Sequence, residues 1–358
     1  MSTGQDTAWD AFLAGQGGGY HTQNSAWAEV KASLGWRSVR VVAERGDHIV
    51  GGAQMLYRPM RGIGAVAYVA RGPVVAGADA AVGAQVLSQI ERTVRELRVR
   101  QVTVQPPGET DESPPYIAHR GYLPSDTPVA PRATVLLDVE PDEDEILAAM
   151  SSKTRYNIRL SGRRSVTVRD GDAADMSTYH DLLVATGVRQ GFTPPPMRYF
   201  RHMWDVLEPR GQIRLSVADV DGVPVAAQIA VGFGDTVVNK LSVWSGEAGK
   251  HRPNEAVQWA TIRWAHAHGY RRYDLEGMEL AAAHAVLRDE ALPESTSQSV
   301  TSYKLGYGGR VVVMPQAQVW SPNPIARWAF GQVYPRIKDV RWFRTMVKRL
   351  RTTAAVEQ

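Results

Sequence analysis

The chain has 358 residues and a net charge of +4, with 44% hydrophobic and 22% charged residues. That length suits two domains better than one, and the composition excludes wholesale disorder. Cysteine is absent, which excludes disulfide frameworks, thiolate nucleophiles, iron–sulfur clusters and cysteine-based zinc sites. The nine histidines form no ligand pattern such as H-E-x-x-H, so neither a metal nor another cofactor is expected. Residues 1–16 are polar, without the apolar stretch of a signal peptide. No run approaches the ~18–20 apolar residues of a membrane span, so a soluble, cytoplasmic protein is expected.

In chain order, residues 38–57 (SVRVVAERGDHIVGGAQMLY) read as strand, Gly-Asp turn, strand. Asp79 is a candidate N-cap for a helix whose stripe is Val82, Val86, Ile90, Val94 and Leu97, and the strand 101–104 follows. An acidic run, Asp142 to Glu145, leads into SSKTRYNIRLSGRR (151–164), the acid-then-base order that a helix dipole favours. There Arg155, Arg159 and Arg163 recur every fourth residue and share one helical face, together with Lys153 at its start. Such a face is either solvated and dipole-matched or a contact for a polyanion, an RNA backbone or a phosphate-bearing substrate.

Residues 213–232 (IRLSVADVDGVPVAAQIAVG) repeat the hairpin, with Asp221-Gly222 as the turn. Asn254 is the expected cap of the next helix, Val257, Ala260 and Trp264 its stripe and Gly269 its end; the strand 272–275 follows. Ala53-Gln54 and Ala227-Gln228 stand 174 residues apart and the two closing strands 171 apart. A near-constant offset points to a duplicated α/β module, with the boundary expected near residue 150. Finally, RWFRTMVKRLR (341–351) puts Trp342, Phe343, Met346, Val347 and Leu350 on one face, with basic residues largely opposite. That helix suits an anionic bilayer surface, tRNA, or packing on the protein body.

The sequence holds no G-x-S-x-G elbow, P-loop or G-x-G-x-x-G. Duplicated hairpin–helix–strand units resemble the GCN5-related N-acetyltransferase (GNAT) fold. The pyrophosphate loop R/Q-x-x-G-x-G/A of that fold is missing, QPPGET (105–110) being the nearest approach. This weakens an acyl-CoA N-acyltransferase as the reading.

Five ordered blocks are more specific: TQNSAWAEVK (22–31), YVARGPVV (68–75), SKTRYNIRLSGRR (152–164), PNEAVQWATIRWAHAHGYRRYDLEGM (253–278) and SYKLGYGG (302–309). Together they resemble the FemABX aminoacyltransferases, which take an amino acid from aminoacyl-tRNA and form an amide on the lipid II stem peptide. The resemblance implies an α/β (α+β) fold of two tandem GNAT-like domains. The first would be 1–150 completed by about 316–358 with the basic C-terminal helix, and the second 151–315.

It further implies that Lys31 and Arg189, the latter in ATGVRQGF, contact the acceptor diphosphate. Lys304, in the pair Tyr303-Lys304, would sit by the reacting ester as an electrostatic stabiliser, and not as a nucleophile. Tyr68, Arg71, Phe192 and Trp244 would line the substrate site, and Lys153, Arg155, Arg159 and Arg163 would bind tRNA. Trp244 stands where the family usually has Tyr and Tyr303 where it has Phe, and residues 275–278 lack a usual Gly-Gly ending. The partners implied are an aminoacyl-tRNA donor and lipid II, or alternatively another amine or hydroxyl acceptor of an antibiotic pathway. Peripheral contact with the inner membrane face through 341–351 is also expected.

Overall fold

The computed structural model describes residues 4–18, 20–60, 64–296 and 299–332. The basic segment 341–351 lies outside the described residues. The elements begin as α1 (Gly4–Gly15), α2 (Ser25–Ala32), β1 (Arg37–Arg45), β2 (His48–Met60), β3 (Gly64–Ala70), β4 (Val74–Val75), α3 (Ala80–Glu96), β5 (Val99–Gln105), β6 (Leu123–Pro124) and β7 (Ala133–Asp138). They continue as α4 (Glu143–Ala149), α5 (Ser152–Arg163), β8 (Val166–Asp170), α6 (Asp175–Gln190), α7 (Met197–Leu207), β9 (Ile213–Val220), β10 (Val223–Phe233) and β11 (Thr236–Trp244). The last are α8 (Pro253–Ala267), β12 (Arg272–Asp274), α9 (Leu280–Leu287), α10 (Val300–Leu305), β13 (Arg310–Val313), β14 (Gln318–Trp320) and α11 (Pro324–Gln332).

Contacts divide the chain into two units. The larger takes the chain up to Ser33, Gly108–Thr110 and Pro131–Met314; the smaller takes Leu34–Pro107, Asp111–Ala130 and the chain from Pro315. In the smaller, Asp79 caps α3 by accepting from the amides of Ala81 and Val82. The α3 stripe Val82, Val86, Ile90 and Val94 is buried against Val41, Ala53, Met55 and Val69 of the sheet. Its strands run β1-β2-β3-β5-β14-β6, with β4 beside β2.

The larger unit has the order β13-β7-β12-β11-β10-β9-β8. Here Asp221 and Gly222 both hold positive φ, as the tight turn between β9 and β10 requires. Ile262 and Ala265 of α8 pack on Val237, Tyr273, Val135 and Leu137.

The two sheets repeat one pattern. The pairs β1/β2, β2/β3 and β9/β10, β10/β11 are antiparallel, and β3/β5 and β11/β12 are parallel. Each parallel pair is bridged by a helix, α3 or α8, because a parallel crossover needs one. Each sheet is then extended by an antiparallel strand from elsewhere in sequence, β14 on β5 and β7 on β12. The matched glutamines are both buried, Gln54 taking a bond from Arg40 at 3.2 Å and Gln228 donating to the Tyr273 hydroxyl.

Three expectations are corrected. The domain division does not fall at residue 150. The apolar run of β7 pairs with β12 and β13, and α2 packs on α7, so residues up to Ser33 and from Pro131 join the larger unit. The acid-to-base segment is two helices and not one. Met150 is extended and Ser151 starts afresh by capping the Thr154 amide. Asn254 does not cap α8; Arg252, at φ +62, holds that position, and Pro253 occupies the first turn.

Gly309 lets the chain enter β13 closely over β7. It holds φ +81, and a Cβ there would lie 2.6 Å from the Leu136 carbonyl oxygen. Gly309→Ala therefore meets both backbone strain and a main-chain clash. A loss of about 2–3 kcal/mol is expected in urea unfolding; an unchanged midpoint would contradict this account.

Candidate functional site

The site grows from α2. Asn24 caps that helix through the Trp27 amide, and Trp27 and Lys31 then stand one turn apart on one face. The Lys31 ammonium lies 5.2 Å from the centre of the Trp27 ring. From α7, Tyr199 adds a second ring at 5.3 Å and a hydroxyl 3.5 Å from Nζ. Aromatic faces attract a cation once water is removed, but they do not neutralise it.

The next cation comes from a defect in the sheet. Along β10 and β11, Ile229 faces Leu241 and Ala230 faces Asn239, so Lys240 is the extra, unpaired residue of a β-bulge. Bulges re-aim side chains. This one puts the Lys240 ammonium 5.3 Å from the same Trp27 ring and 2.6 Å from the Glu276 carboxylate.

Glu276 lies just beyond β12, and its amide donates to Asp274 Oδ1 at 2.8 Å. Asp274, 8% exposed, also accepts from the Thr134 hydroxyl of β7. From α10, the Lys304 ammonium donates to the main-chain carbonyls of both Glu276 and Gly277. Two of its three N–H donors are thereby used, and one remains.

Burial and the neighbouring Lys240 lower Lys31 to about 8, against a partial lift from Glu276. Burial also lowers Lys304, with Glu276 and Asp274 opposing it. Tyr303 lies beside Lys304, its hydroxyl donating to the Asn254 carbonyl at 3.1 Å and sharing a 2.8 Å bond with Tyr307. Burial pushes its phenol up, so it is a neutral donor at any ordinary pH.

The chain has relatives. The FemAB family matches residues 5–113, and an acetyltransferase (GNAT) domain matches residues 151–289. A lipid II:glycine glycyltransferase of Staphylococcus saprophyticus is 26% identical over 231 residues, covering 62% of this chain and 56% of its own length. The enzyme of that name from Staphylococcus aureus is 26% identical over 223 residues, covering 59% and 53%. The chain thus spans about half the length of the curated relatives it matches.

A crystal structure of FemX superposes with a TM-score of 0.81 at 18% identity, covering 93% of this chain and 99% of that one. The C-terminal domain of a putative lysylphosphatidylglycerol synthetase from Agrobacterium fabrum follows at TM-score 0.54 and 14% identity, covering 92% and 96%. Both are likenesses of fold. The two family matches and the curated relatives support the resemblance to the FemABX family. Its two units carry the GNAT-like α/β fold that the resemblance implied.

Of the residues singled out in the FemABX blocks, Lys31, Lys304 and Tyr303 come together in the larger unit with Lys240 and Glu276 as described. Arg189 ends α6 and turns to Trp244, its guanidinium 4.7 Å from the ring centre and bonded to the Trp244 carbonyl at 3.0 Å. The cation facing Lys31 is Lys240. Phe192, 39% exposed, follows α6.

Tyr68 and Arg71 belong to the smaller unit, where Tyr68 meets Trp36 edge-on at 4.8 Å and Arg71 holds φ +54. On α5, Lys153, Arg159 and Arg163 are exposed, whereas Arg155 is folded back onto the carbonyls of Ala148 and Met150 at the end of α4. Four residues of this cluster were not singled out from the sequence as site residues: Trp27, Tyr199, Lys240 and Glu276. Trp27 was within reach, four residues ahead of Lys31.

Among the described residues no carboxylate pairs with Lys31, so its charge lowers stability. Below pH 8 both folded and unfolded chains hold the proton and the penalty is felt in full. Between about 8 and 10.5 the folded chain releases it first, and the penalty fades. Lys31→Met is expected to stabilise the protein at pH 7 by about 2–3 kcal/mol. The gain should vanish by pH 10.5 in paired urea titrations; a loss of stability at pH 7 would refute this.

Proposed function

We propose that this protein transfers an amino acid from aminoacyl-tRNA to the stem peptide of lipid II. The curated relatives named as lipid II:glycine glycyltransferases support that acceptor. The observation that carries the reading is Lys304: an ammonium held by two carbonyls and keeping one N–H donor, one of those carbonyls belonging to the Glu276 that also pairs with Lys240.

In the proposed step the acceptor amine attacks the ester carbonyl carbon. A C–N bond forms and the C–O bond to the tRNA ribose breaks. The amine loses a proton and the departing ribose oxygen gains one. The Lys304 donor faces the oxygen that becomes negative in the tetrahedral intermediate, where a fixed cation contributes on the order of 3 kcal/mol. The ester is already activated, so alignment supplies much of the rest. Lys31 takes an anionic group of the acceptor, with Arg189 of α6, Phe192 just after it and Trp244 of β11 as further contacts.

The tRNA backbone is assigned to Lys153, Arg159 and Arg163 of α5. Arg155 serves that surface by joining α4 to α5. No helix among the described residues is long and apolar enough to cross a membrane. A cytoplasmic enzyme touching the bilayer through 341–351 would reach lipid II from that side.

The decisive assay incubates the protein with tRNA charged with mixed radiolabelled amino acids, with and without lipid II. Label should enter lipid II, and Lys304→Met should lower kcat by about 10²–10³-fold with KM little changed. Full activity in that variant would remove Lys304 from the chemistry. Unlabelled lipid II with tight tRNA binding would move the acceptor to a small amine, and no tRNA binding would end the reading.

A further inference from the structure

The chain contains 34 arginines and seven lysines. Three of those seven, Lys31, Lys240 and Lys304, converge on Glu276. An ammonium differs from a guanidinium in being a compact point charge that can give up its proton. This cluster is thus concentrated in the cation type whose charge depends on its surroundings.

Glu276 handles two of the three with different atoms. Its carboxylate holds Lys240 at 2.6 Å with both side chains largely covered, 20% and 13% exposed. Its main-chain carbonyl, with that of Gly277, holds Lys304. The backbone allows this only in an unusual conformation: φ is +38 at Glu276 and +80 at Gly277. Positive φ is uncommon outside glycine and persists where surrounding bonds enforce it. Here the bond is the Glu276 amide to Asp274.

We propose that Glu276 is a positioning residue of this site: its carboxylate fixes Lys240, its main chain with Gly277 fixes Lys304, and its one negative charge offsets the cluster. This rests on the transfer reading for its purpose, but not for its test. The charged and titratable groups around Glu276 are Lys31 of α2, Tyr199 of α7, Lys240 of β11, Asp274 of β12 and Lys304 of α10. Asp274 lies beneath the turn and acts on Lys304, whereas Lys31 feels only Glu276 among these carboxylates. Removing the Glu276 charge therefore leaves Lys31 and Lys240 opposed with no carboxylate to offset them.

The sign of the effect separates control by charge from a local loss of packing. A loss of packing moves Lys31 the same way from whichever side the pair is broken. In the proposed role, Glu276→Gln removes the attraction that supports the Lys31 proton, whereas Lys240→Met removes the repulsion that opposes it. The two variants must move Lys31 in opposite directions.

The test uses the full chain labelled with ¹³C at the lysine ε carbons. Seven lysines give a spectrum small enough to assign by substitution, and each is titrated by NMR from pH 6 to 11. Lys31 should titrate near 8 in the unaltered protein. In Glu276→Gln it should fall by about one pH unit, in Glu276→Asp by less, and in Lys240→Met it should rise. Lys304 should fall in Glu276→Gln as well.

A Lys31 midpoint unmoved in Glu276→Gln, or moved the same way in both variants, overturns the proposal. If Glu276→Gln does not fold, an unmoved midpoint in Lys240→Met overturns it equally. No substrate is needed, so a chain that titrates as expected yet transfers nothing would refute the proposed function and leave this role standing. Where transfer is found, the alkaline limb of kcat should move to lower pH in Glu276→Gln.

Discussion

Like charges resist being gathered where water is scarce, and the larger unit gathers three ammonium groups around one carboxylate. At an effective dielectric of about 20, two such charges 4 Å apart repel by about 4 kcal/mol, a large fraction of a typical folding free energy. Several features answer that repulsion. Two aromatic faces surround Lys31, one carboxylate holds Lys240, and two carbonyls grip Lys304. The compensation is uneven. Lys240 has a full counter-charge, while Lys31 has rings and a phenol and gives up its proton early.

The sheet topology supplies the geometry for this balance. Both sheets share the antiparallel, antiparallel, parallel pattern, and both borrow their next strand. In the larger unit the borrowed strand is β7, and its Thr134 hydroxyl binds Asp274, which in turn holds the Glu276 amide. The strand that completes the sheet thus fixes the turn on which Lys304 rests. The segment up to Ser33 has a parallel role: it lies before the first hairpin in sequence, yet belongs to the larger unit and carries Lys31. The site is assembled from four separated stretches, around residues 27–31, 199, 240 and 274–304.

That assembly explains what the sequence could and could not reveal. The hairpins, the Asp79 cap and the α3 stripe are local, set by period and turn chemistry, and are readable as such. Lys31 and Lys304 sit in distinctive blocks and were found there. Lys240 was not, because a bulge at that residue breaks the alternation by which a strand's faces are read. Glu276 drew notice only as a departure from a Gly-Gly ending, and its carbonyl's role depends on a dihedral angle that composition does not encode. The domain division failed for a similar reason. The run ATVLLD announces a strand, but nothing within it says which sheet it will join.

The uneven compensation at Lys31 has a consequence for binding on the proposed reading. A group buried without a counter-ion is destabilising in the free protein, and an arriving anion supplies what is missing. By linkage, an anion that binds the protonated form raises the proton affinity of that lysine. Above pH 8 its binding is therefore accompanied by proton uptake, and below pH 8 the proton is already in place. Glu276 bears on this directly, since its charge both supports the Lys31 proton and repels an incoming anion. A stronger counter-charge would stabilise the empty site and weaken the pull on the substrate. A carboxylate that engages Lys240 and leaves Lys31 incompletely neutralised preserves attraction for an anion while keeping the cluster foldable, the kind of compromise between stability and activity expected at a functional site.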